Sequence, residues 1–402
     1  MNMNTTIPSA KYKLSWIFVL LYFLPSFIFV YFKQSSLAVG ITIISALVIG
    51  LNANYIAKKR VGKKGLLLFV LMILLLFIES SYSIIKWNDS KPMMTIPAII
   101  AILVSAWSLS VRIAESDEKI VESSLKFALY VFLFFGWLAV FRTIDIGNYA
   151  LKGKGAFPFS EDSHYALCSG FLSCIVGSVS SKKERIFILA NITIQAVLFP
   201  NLTLLVFSFV CCFLFWFSKR LLALFIIFLV AITSGAFVIQ SMQGTAAGDY
   251  FLSRMDLSER SNNLTTLVFL QGIDDSRRAI EDTYGTGLGF QRAGTDEVGA
   301  YGYIIQSLTG GEYNRTDGGF LSSKVVTEFG FLGLTISLLY FLKIISSVKE
   351  YNSSENIVVK MAASALIAFS VEFFLRGYGY FSPSLILVVA LALSAARIKK
   401  RS

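Results

Sequence analysis

The chain has one histidine and four cysteines in 402 residues, and only 15% of its residues are charged. A typical soluble domain carries about 25% charged residues. So few His and Cys residues exclude a disulfide scaffold and a zinc site built from several such ligands. Hydrophobic residues instead make up 55% of the sequence and aromatic residues 14%. This composition excludes a disordered chain and predicts an integral membrane protein.

The formal net charge of +11 does not indicate nucleic-acid binding. In a membrane protein, Lys and Arg collect in the cytoplasmic loops, so an excess of them reports orientation. The chain also lacks a G-x-x-x-x-G-K-[ST] motif, and its cytoplasmic loops are too short for a nucleotide-binding domain. ATP-driven transport within this chain is therefore excluded.

The apolar runs predict an all-α, polytopic fold, since a helix that crosses a bilayer needs about 20 apolar residues. The seventh and eighth runs are short and meet at Pro200-Asn201, so they could instead form one kinked or re-entrant pair. The twelve candidate spans are 15–32, 36–57, 65–85, 93–112, 126–142, 163–180, 186–199, 201–217, 221–240, 320–345, 357–375 and 382–397.

The basic clusters predict the orientation of these spans. With twelve spans, all the clusters and both termini fall on one side of the membrane. Short loops decide orientation, so this side and both termini are expected to be cytoplasmic. The clusters are Lys58–Lys64, Lys182–Arg185, Lys219-Arg220 and Arg397–Arg401.

The chain is expected to have three parts. Residues 1–240 hold nine helices and a short outer loop near 143–162, residues 241–319 form a long outer loop, and residues 320–402 hold the last three helices. The long loop has six Arg, no Lys and eleven acids. Arg without Lys favours bidentate recognition of phosphate or carboxylate, whereas the alternative is a set of ion pairs within the loop.

A short helix and a glycine turn are predicted at 274–290, where Gly285, Gly287 and Gly289 permit tight backbone conformations. Acids one turn away give Arg277 a structural partner. Arg278 lies closer to the glycine turn and is therefore a candidate ligand-binding residue.

The segment that enters the tenth span contains two further acids of interest. Asp317 is either a helix N-cap or a functional base. Glu328 is expected about two turns inside the membrane, where an acid is costly and marks a candidate functional site. Its expected partner is Lys324, one turn earlier, and this pair could also be purely structural.

The short outer loop contains the only histidine. Glu161 and His164 share a face if the helix begins near Ser160, and a carboxylate beside an imidazole is a plausible acid/base pair. The alternative is a cap, with Ser160 as N-cap and Ser163 at the third helical position. Near the outer end of the eleventh span, Arg376 needs Glu372 or an anionic ligand as its partner.

The outer face thus gathers a set of cations and possible bases that fits a lipid-linked phosphate. The Arg residues would neutralise a diphosphate while the spans hold the lipid. The expected substrate-binding residues are Arg142, Arg278, Arg292, Arg315 and Arg376, and the expected catalytic residues are Glu161, His164 and Asp317.

Four stretches resemble the O-antigen polymerase and O-antigen ligase superfamily of bacterial envelope glycosyltransferases. Residues 157–164 resemble the polymerase pattern G-x-F-x-E-x-S-H, and Gly285–Phe290 after Arg278 resembles an R…GxGxG loop. Glu328–Gly333 resembles an E-x-G-x-x-G helix entry, and Arg376–Phe381 is similar to R-G-x-x-Y-F.

The resemblance implies a GT-C-like fold and an O-antigen polymerase in the bacterial inner membrane, active at the periplasmic face. Its donor and acceptor would be glycans linked to undecaprenyl diphosphate. A polysaccharide chain-length regulator would be a possible partner. No Asp-x-Asp occurs in the outer loops, and Arg residues could replace a metal, so neither a metal nor another cofactor is expected.

Two other functions remain open. An O-antigen ligase keeps a His in the long loop about nine residues before the Glu of E-x-G-x-x-G, and this chain has Gly319 there. A lipid-linked oligosaccharide flippase or secondary transporter should have ionisable residues at mid-membrane in broken helices and two related halves. The general base stays open between Asp317 and Glu161.

Overall fold

The structure is a computed structural model that describes residues 7–34, 36–57, 62–141, 155–218, 244 and 263–401. Across these residues the chain is helical and has no β-strand. The helices are α1 (Ile7–Tyr31), α2 (Ala38–Leu51), α3 (Ala53–Ile56), α4 (Lys63–Trp87), α5 (Lys91–Glu115), α6 (Glu118–Val140), α7 (Asp162–Val179), α8 (Lys182–Leu198), α9 (Leu202–Cys212), α10 (Leu264–Asp282), α11 (Ala300–Thr309), α12 (Leu321–Ser353), α13 (Ile357–Phe374) and α14 (Pro383–Lys399).

Among the described residues, six helices are long and apolar enough to cross a membrane, which makes the chain a multi-pass membrane protein. Every predicted span except 221–240, which lies outside the described residues, coincides with helical structure. Several of these helices are short, so the count of twelve spans stays a prediction. The six are Tyr12–Tyr31, Lys63–Trp87, Lys91–Glu115, Glu118–Val140, Leu321–Ser353 and Ile357–Phe374.

The two uncertain spans at Pro200-Asn201 form a hairpin of two helices, α8 and α9. The Asn201 side chain accepts a hydrogen bond from the Leu204 amide at 3.1 Å and caps α9. Its amide group also donates to the Asp162 carbonyl at 2.6 Å. The turn is thereby fixed beside the start of α7. A π-helical turn, Phe213–Phe217, continues α9.

Contacts between helix ends show that successive long helices alternate in direction. At one end of the molecule, Glu118 accepts a hydrogen bond from the Ile357 amide at 3.0 Å, and Ser218 donates to Asn352 at 2.8 Å. At the other end, Tyr378 donates to the His164 carbonyl at 3.0 Å. The starts of α7 and α12 and the α13–α14 connection therefore lie at the same end.

Helix α12 is broken at Gly330, whose φ of 54° and ψ of −126° lie outside the helical region. Residues 321–328, before the break, are all buried within the protein. Exposed apolar side chains begin at Phe331 and continue to Ile345. Glu328 therefore belongs to a segment enclosed by protein, and its expected depth in the membrane stays a prediction.

Candidate functional site

A cavity of about 1040 Å³ lies at the end of the molecule where α5, α7 and α12 begin. Its wall includes all three predicted catalytic residues and one predicted substrate-binding residue: Glu161, His164, Asp317 and Arg376. Residues from α1, α2 and α5, most of them apolar, form the opposite wall. The cavity therefore combines ionisable groups with an apolar surface.

Glu161 and Arg376 form the central ion pair of the cavity, with 2.8 Å between Oε2 and Nη2. Tyr313 and Ser163 each donate a hydrogen bond to the Glu161 carboxylate at 3.2 Å. Burial raises the pKa of Glu161, but the charges of His164 and Arg376 and these hydrogen bonds outweigh burial and lower the pKa to about 2. Glu161 is therefore ionised and committed to Arg376.

The partner of Arg376 within the protein is Glu161. The sequence offered Glu372 or an anionic ligand as its partner, and Glu161 holds the guanidinium instead. Glu372 is buried beside Ser382 and Ser384 at the start of α14. A Cβ on Gly377 would stand 2.8 Å from the Glu372 carbonyl, so the chain turns sharply directly after α13 and carries Arg376 to the cavity.

His164 is the third residue of α7 and is held on two sides. Its Nδ1 is 3.2 Å from Ser160 Oγ, and its ring packs against Tyr378 with 4.3 Å between centroids. The capping alternative for Ser160 is wrong, because the helix begins one residue later and Glu161 occupies the N-cap position, where its side chain makes no capping hydrogen bond. Ser160 instead contacts the imidazole.

Asp317 is the most exposed of the three predicted catalytic residues, with 56% of its side chain exposed. The N-cap of α12 is Phe320, so the capping alternative for Asp317 is also wrong. Gly318 and Gly319, both with φ near +70°, separate Asp317 from the helix. Its carboxylate lies 4.0 Å from Lys324 Nζ and is otherwise open to the cavity.

Lys324 is a buried cation whose ammonium group reaches the cavity wall. Nζ donates to the Thr316 carbonyl at 2.6 Å and lies 3.6 Å from Glu328 Oε1. Glu328 is fully buried, and its other oxygen accepts a hydrogen bond from Tyr380 at 2.7 Å. The predicted pairing of Lys324 with Glu328 is confirmed, and Tyr380 joins it to the Arg376–Phe381 motif.

The glycine turn packs against the break in α12. The amides of Leu288 and Gly289 donate to the carbonyls of Thr327 and Glu328, each at 2.9 Å, and the Phe331 amide donates to the Gly285 carbonyl at 2.9 Å. These bonds satisfy backbone groups that an unbroken helix would pair internally. Two motifs that are distant in sequence thus form one structural unit beside the cavity.

Arg278 and Arg315 lie apart from the cavity, in a cluster of acids. Arg278 pairs with Asp274 at 3.2 Å, Asp296 at 3.3 Å and Asp275, and it donates to the Glu297 carbonyl at 2.7 Å. Arg315 is nearly inaccessible and lies 2.9 Å from Asp296. The loop ion pairs expected as the alternative are therefore present.

The cluster also perturbs one of its acids. Burial raises the pKa of Asp275 to about 6, although Arg315 and Arg278 oppose this effect. A structural role was expected for Arg277. Its side chain is 65% exposed, and its contacts with Asp274 and Glu281 are long, at 3.5 Å each. Within this helix, Arg278 is more deeply engaged with the protein than Arg277.

Arg292, a fourth predicted Arg residue, does not line the cavity. Arg292 stacks on Trp87, with 3.9 Å from its guanidinium carbon to the ring centroid, and pairs with Asp89 at 3.3 Å. Burial lowers the pKa of Arg292, against the charge of Asp89. Through these contacts, Arg292 joins the long loop to the α4–α5 connection. Arg142 lies outside the described residues.

Two cavity cations were missed or undervalued by the sequence reasoning. Lys324 was named only as a partner of Glu328, and Lys91 was not considered. Both line the cavity with Arg376. The predicted orientation could have pointed to them. Lys91 and Lys324 lie on the outer side, where the expected loops carry few Lys residues.

No family model and no curated protein matches this chain. Within the described ranges, no group of three or more His, Cys, Asp or Glu could hold a metal ion. The chemistry that the arrangement offers is anion binding by Lys91, Lys324 and Arg376 together with proton transfer by an accessible carboxylate.

Proposed function

We propose that the chain is an O-antigen polymerase, a glycosyltransferase that joins oligosaccharide units carried on undecaprenyl diphosphate. It would act in a bacterial inner membrane, with both termini cytoplasmic and the cavity facing the periplasm. The observation that carries this proposal is the cavity itself. Its cations suit a diphosphate, its apolar wall on α1, α2 and α5 suits a lipid, and its acids suit glycosyl transfer.

The proposed reaction is a displacement at the first sugar of the donor glycan. The acceptor hydroxyl oxygen forms a bond to the anomeric carbon, and the bond between that carbon and the diphosphate oxygen breaks. The electron pair leaves with undecaprenyl diphosphate. The hydroxyl proton passes to a protein carboxylate. The product is a longer glycan on the acceptor's own lipid diphosphate.

Asp317 is the proposed general base. It is the most exposed of the described carboxylates that line the cavity, whereas Asp89 is held by Arg292 and Glu161 by Arg376, with a pKa of about 2. A group with so low a pKa accepts a proton poorly near neutral pH. Glu161 is better suited to position Arg376, and His164 packs beside this pair through Tyr378.

The cations of the cavity stabilise charge on the departing diphosphate. Arg376 and Lys324 are held in place by Glu161 and Glu328 and need no reorganisation when the charge develops. This role was first expected for Arg278 and Arg315. Because these two residues pair with acids and carbonyl groups outside the cavity wall, they serve in this proposal to hold the loop in place.

The proposal is tested by reconstituting the purified protein in liposomes with lipid-linked repeat units of its own strain. Wild type should produce a ladder of longer glycans still attached to lipid. Asp317→Asn should slow this by about a hundredfold or more. The matched control is Glu281→Gln, because Glu281 is an equally exposed acid that lies outside the cavity. Absence of any ladder with wild type overturns the proposal.

A lipid-linked oligosaccharide transporter is the second candidate, and one observation favours it. Transporter sites often lie where transmembrane helices are broken, and α12 is broken at Gly330 beside buried Lys324 and Glu328. Here, however, the break is closed by the glycine turn and the segment before it is enclosed by protein. A transporter would move the lipid-linked unit across the liposome bilayer without lengthening it.

A further inference from the structure

Among the described residues that line the cavity, Lys91 is the one cation without a salt bridge, and the nearby Asp89 pairs with Arg292. Arg376 is paired with Glu161 and Lys324 lies between two carboxylates, whereas Lys91 takes part in no salt bridge within the described ranges. Its side chain is exposed at the first position of α5. A free ammonium group on a cavity wall attracts an anion more strongly than one already held by a carboxylate.

An apolar strip begins directly beside Lys91 and runs along two packed helices. Met94, Thr95 and Ala98 follow Lys91 on one face of α5 and line the cavity. Val39 and Ile43 line it from α2. From Lys91 to Ala98 the strip is about 10 Å long, at about 1.5 Å per residue.

The polar atoms along this strip are satisfied within their own helices. Thr95 Oγ1 donates to the Lys91 carbonyl at 2.8 Å, and Thr42 Oγ1 donates to the Ala38 carbonyl at 2.8 Å. Neither hydroxyl needs a partner from a ligand. The strip can therefore take a hydrocarbon chain without leaving a polar group unpaired.

We infer that Lys91 and the α2–α5 strip form a binding site for a polyprenyl diphosphate, with the diphosphate at Lys91 and the prenyl chain along Ala98 and Ile43. The inference rests on the proposed function, because it names where that enzyme holds one of its two lipid carriers. The site has charge at one end and an apolar path from it, as such a ligand requires. A free diphosphate would use only the charged end.

The test measures binding of undecaprenyl diphosphate to the full-length protein in nanodiscs of zwitterionic lipid. Lys91→Gln should weaken binding about tenfold, the lower end for a charged hydrogen-bond donor because Lys91 is exposed. Lys91→Arg should retain most of the affinity. The matched control is Lys86→Gln, on the same α4–α5 hairpin, whose ammonium lies over the Trp87 ring and outside the cavity wall.

A second variant and two competitors separate the sources of the anion. Ala98→Trp should weaken binding of undecaprenyl diphosphate and leave that of inorganic diphosphate unchanged. Phosphatidylglycerol should compete poorly, and equal competition would make the site a general one for anionic lipids and overturn the inference. Unchanged affinity in Lys91→Gln, or an equal loss in Lys86→Gln, would also overturn it.

The two experiments distinguish failure of the inferred binding site from failure of the proposed function. If Lys91→Gln loses the lipid but wild type never lengthens a glycan, the binding site stands and the polymerase does not. If wild type makes polymer while Lys91→Gln binds the lipid normally, only the site is wrong.

Discussion

Gly287 and Gly330 lie backbone to backbone, so that a Cβ on Gly287 would stand 2.6 Å from the Gly330 nitrogen. Both have positive φ, and Gly330 breaks α12. This contact fixes the turn at Gly285–Gly289 against the helix that carries Lys324 and Glu328. The geometry of the cavity therefore depends on two glycines that do not line it.

Gly330→Ala should destabilise the protein by roughly 3 kcal/mol, since the new methyl group would meet the Gly285 carbonyl carbon at 2.6 Å in a strained conformation. The control is Gly310→Ala, where φ is also positive but nothing lies within 4 Å, and a loss of roughly 1 kcal/mol is expected. Unfolding in detergent measures both. Equal losses would contradict the close packing described for Gly330.

Arg315→Met should cost roughly 3 kcal/mol of stability, because it leaves the buried Asp275 and Asp296 to share one described cation, Arg278. Arg315 lies between Asp296 and Asp275 and is only 3% exposed. Arg277→Met should cost less than about 0.5 kcal/mol, since that side chain is 65% exposed. A large loss for Arg277 and a small one for Arg315, in the same unfolding measurement, would reverse the roles assigned to them.

Glu161→Gln should lower stability by roughly 1–3 kcal/mol at neutral pH, because Arg376 then keeps its charge without a carboxylate partner. The folded-state pKa of about 2 is below the ordinary 4.5. The carboxylate therefore stabilises the fold at any pH above about 4.5, and this contribution is lost as the pH falls through 2. Unfolding measured from pH 7 to pH 3 should show the difference from wild type shrinking only below about pH 4.5.

A constant difference between Glu161→Gln and wild type down to pH 3, with no decline, would contradict the assigned charge. The double variant with Arg376→Gln supplies the control. If the two residues act as a pair, the double variant should be little worse than either single variant.

Glycan lengthening should persist in EDTA. The cations that face the cavity are Lys and Arg side chains, and these can neutralise a diphosphate without a metal. The measurement compares polymer formation before and after chelation. Loss of activity that magnesium restores would contradict this prediction.

The sequence predicted well those parts of the site that depend on helix direction. Residues 161–164 and 376–381 follow or precede apolar spans, and alternating spans must bring such connections to one end. The structure places Glu161 against Arg376 and His164 against Tyr378 accordingly.

The break in α12 could not be read from the sequence, because residues 320–345 are predicted as one continuous span. Only the glycine turn, which arrives from elsewhere in the chain, supplies donors for the carbonyls of Thr327 and Glu328. Local sequence patterns carry no information about such tertiary hydrogen bonds.

The sequence also could not show which Arg residues line the cavity and which form ion pairs elsewhere. Counting six Arg and eleven acids in the loop cannot show which charges pair. Arg278 and Arg315 pair with acids outside the cavity wall, whereas Arg376 pairs with Glu161 at the wall. Lys91 was overlooked because one exposed Lys at a helix start is ordinary in sequence and becomes notable only beside the cavity.

The most direct test of the central claim is a lipopolysaccharide gel from a strain lacking this gene, complemented with wild type or Asp317→Asn. Wild type should restore the ladder of long O-polysaccharide. The Asp317→Asn strain should show lipid A-core bearing a single repeat unit, because flipping and ligation continue without polymerisation. Bare lipid A-core in the deletion strain would contradict the account and assign the chain to the ligase or transporter step.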